Sequence, residues 1–326
     1  MIGIFKQKAS ANALLLFVYA FVLKFSLFLH PFYPLLHEED NYLYRYILTA
    51  LHALFGQAAL PFAIISFIIL FSQATLLNSI CNYHKMLPRS NYLPGMCYIL
   101  VSSLLPDWGH FSAPLLINSI IIWCWYRMVA LYNSPSPVTA IFNIGLFLGL
   151  ATLVYIPAIA FLMLLFFALL IMRPFRIQEW FVGFVGFTSP YYFLILLLYF
   201  TRQLHWANLV PRIRFTFPAI PGSVWIIISM SLLVIPFVIG GFFVQNNLNK
   251  MLIHIRKSWS LLLVFLIAAI LVIVINKAGS YENWIVTAMP FAVFHSAAYY
   301  YIEKKFFSEL MHWFCFSAAI VVNYFL

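Results

Sequence analysis

Apolar stretches long enough to cross a bilayer follow one another along almost the whole chain, separated by short runs that hold its few charges. A membrane-spanning helix needs about 20 mainly apolar residues. Runs of this kind lie near 11–29, 61–81, 93–105, 114–131, 138–156, 158–172, 180–200, 224–243, 259–275, 284–301 and 311–326. The third is short and carries Pro94 and Gly95, which suits a tilted or broken segment. With 65% of residues hydrophobic and 8% charged, against a charged share of about 25% in soluble domains, the chain cannot cover a water-soluble globule. The pattern predicts an all-α, polytopic transmembrane bundle of about 11 spans. No repeat of fixed period and no stretch polar enough for a soluble domain interrupts it, so residues 1–326 are expected to form a single integral membrane domain.

The charges orient the bundle. Eighteen Lys and Arg against eight Asp and Glu give a formal charge of +10. In a soluble protein this would suggest nucleic acid; here it is read as basic loops on one membrane face, and no nucleic-acid partner is expected. With a cytoplasmic N-terminus, Lys6, Lys8, Lys85, Arg89, Arg127, Arg173, Arg176, Lys250, Arg256, Lys257, Lys304 and Lys305 fall inside. Arg45, Arg202, Arg212, Arg214 and Lys277 fall outside, a twelve-to-five bias that supports this orientation. Lys24 lies in the first span, close enough to its end to snorkel to the outer interface. The acids run the other way: Glu38, Glu39, Asp40, Asp107 and Glu282 face outward, and Glu179, Glu303 and Glu309 inward. The opening MIGIFKQKAS reads as the start of a retained span, because Lys24 interrupts the apolar run and no small-residue cleavage site follows. Cys81, Cys97, Cys124 and Cys315 lie in or beside apolar runs without CxxC or Cys/His spacing and read as small apolar residues.

Polar chemistry thus concentrates on the extracytoplasmic face. HPFYPLLHEED, residues 30–40, packs Glu38, Glu39 and Asp40 together. Their mutual repulsion raises at least one pKa, favours a bound cation or calls for basic neighbours, and it suits a general base that takes a proton from a hydroxyl. The same acids also suit the solvated start of a helix from Asn41 onward. The following YLYRYILTALHALF, residues 42–55, mixes apolar and polar positions and reads as a helix lying at the membrane interface. In LPDWGHFSAP, residues 105–114, Asp107 and His110 flank Trp108, an arrangement for a sugar or a divalent metal ion, or an ordinary tight turn with Trp108 anchored at the interface. Arg202, Arg212 and Arg214 crowd into residues 201–215 against the positive-inside trend. Guanidinium groups pair with phosphate oxygens, so the cluster points to an anionic ligand such as a lipid phosphate, to outer-leaflet headgroups, or to charge balance for the acids. Asn78, Asn118 and Asn143 are placed to hydrogen-bond between helices, and Pro157, Pro190, Pro236 and Pro290 to kink or divide them. P-loop, GxSxG, HExxH and Cys-based redox patterns are absent.

The run GLFLGLATLVYIPAIAFLMLLFFALLIMRPFRIQEW, residues 145–180, resembles the paired spans of polytopic C-type glycosyltransferases, and the whole chain resembles an uncharacterised family of Bacteroidota inner-membrane proteins. The resemblance to C-type enzymes covers about residues 1–200, leaving 201–326 as additional C-terminal transmembrane helices. It implies an acidic residue in a long first outer loop followed by an interfacial helix, places held here by Glu38, Glu39 and Asp40, and a second acid at Asp107. At the short turn, where many such enzymes carry a basic residue, this chain has Tyr155 and Pro157. The implied activity is transfer of a sugar from a polyprenyl-phosphate carrier to an envelope acceptor. Glu39 or Asp40 would be the base, Asp107 would hold acceptor or metal, and Arg202, Arg212 and Arg214 the phosphate, with Glu38, Trp108 and His110 lining the substrate. No cofactor beyond a divalent metal ion is expected; membrane lipid and an envelope-complex protein are the expected partners. The rival readings are a non-catalytic scaffold subunit of an envelope or secretion complex, and a lipid or solute transporter.

Overall fold

A computed structural model describes residues 1–7, 9, 11–203, 215, 223–275 and 281–325. Among these every regular element is a helix, and the one β-type pairing is an isolated bridge between Asp40 and Tyr155. After a single turn at Ile2–Phe5 come α1 (Ala11–Lys24), α2 (Tyr42–Phe55), α3 (Leu60–Tyr83), α4 (Leu93–Ser102), α5 (Ala113–Val129) and α6 (Val138–Val154). They are followed by α7 (Phe161–Met172), α8 (Ile177–Phe200), α9 (Val224–Asn247), α10 (Ile253–Val274), α11 (Ala288–Tyr301) and α12 (Lys305–Tyr324). The apolar stretches therefore fold as helices, as expected from a chain whose backbone polar groups must pair internally once water is excluded. Among the described residues, five helices are long and apolar enough to cross a membrane: α3, α8, α9 with the turn after it, α10 and α12. The remaining apolar runs form shorter helices. α1 ends at Lys24 before a separate turn at Ser26–Leu29, and α7 and α11 are each preceded by a 3₁₀ segment.

The most enclosed element is α4, every residue of which is buried. A ten-residue helix is only about 15 Å long, so both of its ends lie inside protein, where unpaired backbone groups are costly. At its start the side chain of Asn91 accepts from Leu93 N (3.0 Å) and that of Asn78 from Gly95 N (3.3 Å). At its end Lys24 Nζ donates to Ser102 O (2.6 Å) and Asn323 Nδ2 to Ser103 O (2.6 Å). Lys24 is 2% exposed. It does not snorkel to the interface, because the orphan carbonyls at the end of α4 are nearer partners for its ammonium. Asn118 Nδ2 donates to Tyr98 OH, whose hydroxyl donates to Gln73, and Gln73 Nε2 donates to Ser119 Oγ and Leu115 O, joining α3, α4 and α5.

Pro190 and Pro236 lie inside α8 and α9, Pro157 divides α6 from α7 in the 3₁₀ segment between them, and Pro290 sits in the first turn of α11. Proline frees a carbonyl one turn upstream. The carbonyls of Leu232 and Leu233, upstream of Pro236, are taken up by Cys315 Sγ–H and by His295 Nε2 (2.8 Å).

Two helix pairs approach too closely for side chains. A Cβ at Gly149 would run into the Phe187 carbonyl, and one at Gly240 into that of Phe294. The first contact sets α6 against α8 in parallel, with Gly145 facing Gly183 and Gly149 facing Phe187, so both helices end at the same side of the bundle. That side also gathers the segments 30–41, 103–112 and 281–287, while Met1, Lys6, Arg173 and Glu309 make their contacts at the other.

Gly149→Leu should force α6 and α8 apart and cost about 1–3 kcal/mol, read as a lower melting midpoint in detergent. Gly241→Leu, at a position with open space around it, should melt like the wild type. Equal midpoints for both variants would refute the close-packing account.

Candidate functional site

The acids converge where the first long connection is stitched to the end of α6. Asn41 N donates to Val154 O (3.1 Å), Ile156 N to Glu39 O (3.0 Å), and Asn41 Nδ2 to Thr152 O (2.8 Å). Thr152 is itself held by a hydrogen bond from Tyr191 OH on α8 (2.8 Å). The glycine contact between α6 and α8 thus fixes the platform on which Asp40 stands. Asn41 also caps α2, its Oδ1 accepting from Tyr42 N (2.8 Å), so the helix cap belongs to Asn41 and leaves the carboxylates for other work.

Asp40 is 3% exposed. Its Oδ2 accepts from His37 N (2.8 Å), and Arg45 Nε donates to its main-chain carbonyl (2.9 Å), which keeps the guanidinium on the backbone side. Burial raises its pKa from the usual carboxylate range to about 6, the His37 amide and ring and Arg45 opposing and Glu39 reinforcing the rise. Glu39 is partly buried and Glu38 exposed.

Asp107 lies in a 3₁₀ turn, Pro106–Gly109. Its pKa is raised by burial first, then lowered by His110 and raised by Glu282. Glu282 sits between two imidazoles, with Oε2 3.7 Å from His37 Nε2 and Oε1 3.5 Å from His110 Nδ1. These are ion-pair contacts when the rings are protonated. Phe32 stacks on the His110 ring at 4.4 Å and 14°, and Tyr44 OH donates to Phe111 O (3.4 Å). Trp108 departs from expectation: it is buried, and its Nε1 donates to Tyr281 O (2.9 Å). The indole pins the turn to the last of these segments, because a buried indole N–H needs an acceptor.

Tyr155, across the bridge from Asp40, is 2% exposed, and its hydroxyl has no hydrogen-bond partner. Burial, then the charges of Glu39, Asp40 and Glu282, push its pKa well above the ordinary value. A buried neutral phenol facing carboxylates offers a proton donor to whatever enters. Below this point, α6 and α8 flank an open apolar cavity of about 300 Å³ lined by Leu146, Leu150, Leu153, Pro190, Phe193, Leu194 and Leu197.

Of the residues singled out from sequence, Glu39, Asp40, Asp107, Trp108 and His110 are brought to one place, with Glu38 at its exposed edge. Arg202 follows α8 at the same end of the bundle, exposed and with a φ of 54°, in no ion pair with a described acid. Arg212 and Arg214 lie outside the described residues. Glu282, His37, Tyr44 and Tyr155 also belong to the site. The outward acid count already held Glu282, but nothing local tied it to residues more than 170 positions away. Among the described residues no three His, Cys, Asp or Glu side chains are grouped so as to hold a metal ion.

The family model of DUF6427, described as a family of unknown function, matches residues 41–326. No curated protein sequence matches the chain. In structure it is similar to ArnT from Cupriavidus metallidurans bound to undecaprenyl phosphate, with a TM-score of 0.56 and 14% identity over 90% of this chain and 61% of that one. The apo form of ArnT gives a TM-score of 0.46 and 15% identity over 89% and 56%. The chain therefore spans about three fifths of the length of the ArnT chain it matches. The likeness is one of fold: the helices are arranged as in ArnT.

Glu282→Gln should weaken the clamp on His37 and His110. The groups are partly exposed, so the cost should stay under about 1 kcal/mol, while amide hydrogen exchange over residues 37–41 and 107–111 should quicken. Unchanged exchange in both segments would remove Glu282 from this role.

Proposed function

The chain belongs to DUF6427, and we propose that it is an inner-membrane glycosyltransferase that moves a sugar from a polyprenyl-phosphate carrier to an envelope acceptor at the extracytoplasmic face. The observation that carries this reading is the convergence of Glu39, Asp40, Asp107 and Glu282 from three separate segments at one end of an ArnT-like bundle. The chain is read as one domain of about eleven crossings with a cytoplasmic N-terminus. The alternation of its connections between two ends of the bundle supports this, the shorter helices crossing together with their 3₁₀ extensions.

In the proposed step an acceptor hydroxyl attacks the anomeric carbon. The bond from that carbon to the carrier's phosphate oxygen breaks, the electron pair leaves with the polyprenyl phosphate, and the hydroxyl proton passes to Asp40. A carboxylate with a pKa of about 6 is a better base near neutrality than an ordinary aspartate while remaining ionised. Asp107 and Glu282, with His110, orient the acceptor; Tyr155 donates to it or to the leaving oxygen. Glu39 is the second candidate base, and Glu38 lines the entrance. Arg202, with Arg212 and Arg214, is assigned the phosphate, and the apolar cavity beneath the site suits the start of the isoprenoid chain. A divalent cation, where one takes part, would be held through Asp107.

Untargeted profiling of glycolipids and envelope glycans in a deletion strain should reveal a missing glycosylated species. The wild-type gene should restore it and Asp40→Asn should not, with the variant still present in the membrane; loss of a general base costs about 10²–10⁴-fold. An unchanged profile would favour the scaffold reading. Once an assay exists, its rate should fall as pH drops through about 6, because the base must be ionised. A flat profile from pH 5 to 8 would exclude Asp40 as the base.

A further inference from the structure

The opposite end of the bundle collects donors and positive charge that the proposed transfer does not use. Three elements meet there: the end of α3 at Tyr83 and His84, the end of α5 with the turn through Tyr132, and the first turn of α10, His254–Lys257. His84 is 8% exposed, and its Nε2 has no hydrogen-bond partner. Its ring lies 5.5 Å from that of Tyr126. Burial, then the neighbouring His254, lowers its pKa to about 4, so near neutrality it presents an uncharged imidazole. His254 lies 6.3 Å from the Tyr132 ring, and Lys257 Nζ sits over that same ring at 4.9 Å. Arg256, on the same turn, has a buried Nε without a partner.

None of these groups forms an ion pair with a described carboxylate. At this end Glu179 is occupied by Arg173 (2.8 Å), and Glu309 lies 3.9 Å from the N-terminal amine. The preference for basic residues on the cytoplasmic face accounts for the charges. It does not account for buried imidazole and guanidinium nitrogens without partners, since such groups are normally satisfied. Beside them Leu252 and Ile253 are exposed, and the outer face of α10 continues as an exposed apolar stripe through Leu263, Ile267 and Ile270.

We propose that His84, His254, Arg256 and Lys257, walled by Tyr126 and Tyr132, bind the phosphate of an anionic phospholipid, whose acyl chain lies along the apolar stripe of α10. Phosphate oxygens accept from the ammonium, the guanidinium and an imidazole N–H, and the aromatic walls hold the cationic side chains in place. The stripe selects a lipid over free phosphate, because it places apolar surface directly beneath the headgroup. The inference rests on the membrane-spanning reading and is independent of sugar transfer.

The test uses the full chain purified in neutral detergent. Dioctanoyl phosphatidylglycerol, dioctanoyl phosphatidylcholine or inorganic phosphate is added, and bound lipid is counted by native mass spectrometry alongside the melting midpoint. Phosphatidylglycerol should be retained and raise the midpoint, and the other two should not. The double variant Arg256→Gln, Lys257→Gln should bind phosphatidylglycerol about tenfold more weakly, the size of effect expected for lost charge-assisted bonds. Lys257→Arg and the exposed Lys250→Gln should bind like the wild type. Equal retention of phosphatidylcholine, an equal effect of inorganic phosphate, or undiminished binding by a double variant that melts normally in detergent alone would each overturn the proposal.

Discussion

Internal satisfaction of backbone hydrogen bonds is the condition on which this structure rests. A chain with 8% charged residues has little side-chain polarity to spare, and bilayer hydrocarbon supplies no partners for a bare N–H or C=O. Helices solve most of the problem and leave it at their ends. The buried α4 is closed by Asn78 and Asn91 at its start and by Lys24 and Asn323 at its end. The carbonyls loosened by Pro236 are taken by Cys315 and His295. Several polar residues within the apolar runs are occupied in this way, each by a backbone group or by a neighbour in the Gln73–Tyr98–Asn118 network.

The acidic site is an extension of the same rule. Segment 30–41 is too irregular to satisfy its own backbone, and it does so against the last turn of α6 through the bridge between Asp40 and Tyr155. That pairing buries Asp40 and lifts its pKa to about 6. It also brings the buried Tyr155 hydroxyl within the electrostatic reach of Glu39, Asp40 and Glu282. The position of α6 depends in turn on the glycine contacts with α8, so the electrostatics at the surface rest on packing in the middle of the bundle. Glu282, in segment 281–287, then ties segments 30–41 and 103–112 together through His37 and His110.

Much of this was legible beforehand. The segment 42–55 reads as a helix and folds as one from Tyr42 to Phe55, because its mix of apolar and polar positions is a local signal; the start of that helix, which the sequence offered to the acids, is capped by Asn41 instead. Asn78 and Asn118 make the interhelical bonds expected of them, since amides in apolar runs have few other partners. Lys24 and Trp108 were less legible. A lysine near the end of an apolar run is ordinarily drawn to the interface and a tryptophan in a turn to the headgroups, but here a helix end and the Tyr281 carbonyl lie closer.

Composition and charge order determined that this chain is a helical membrane protein and that five of its eight carboxylates fall on one side, because hydrophobic length and the sidedness of charge are additive along the chain. They could not determine that Asp40, Tyr155, Asp107 and Glu282 come within electrostatic reach of one another. That depends on how closely two helices approach at Gly149 and on which distant carbonyl an orphan donor finds. Such contacts join residues far apart in the chain through single atoms, and only the folded bundle brings those atoms together.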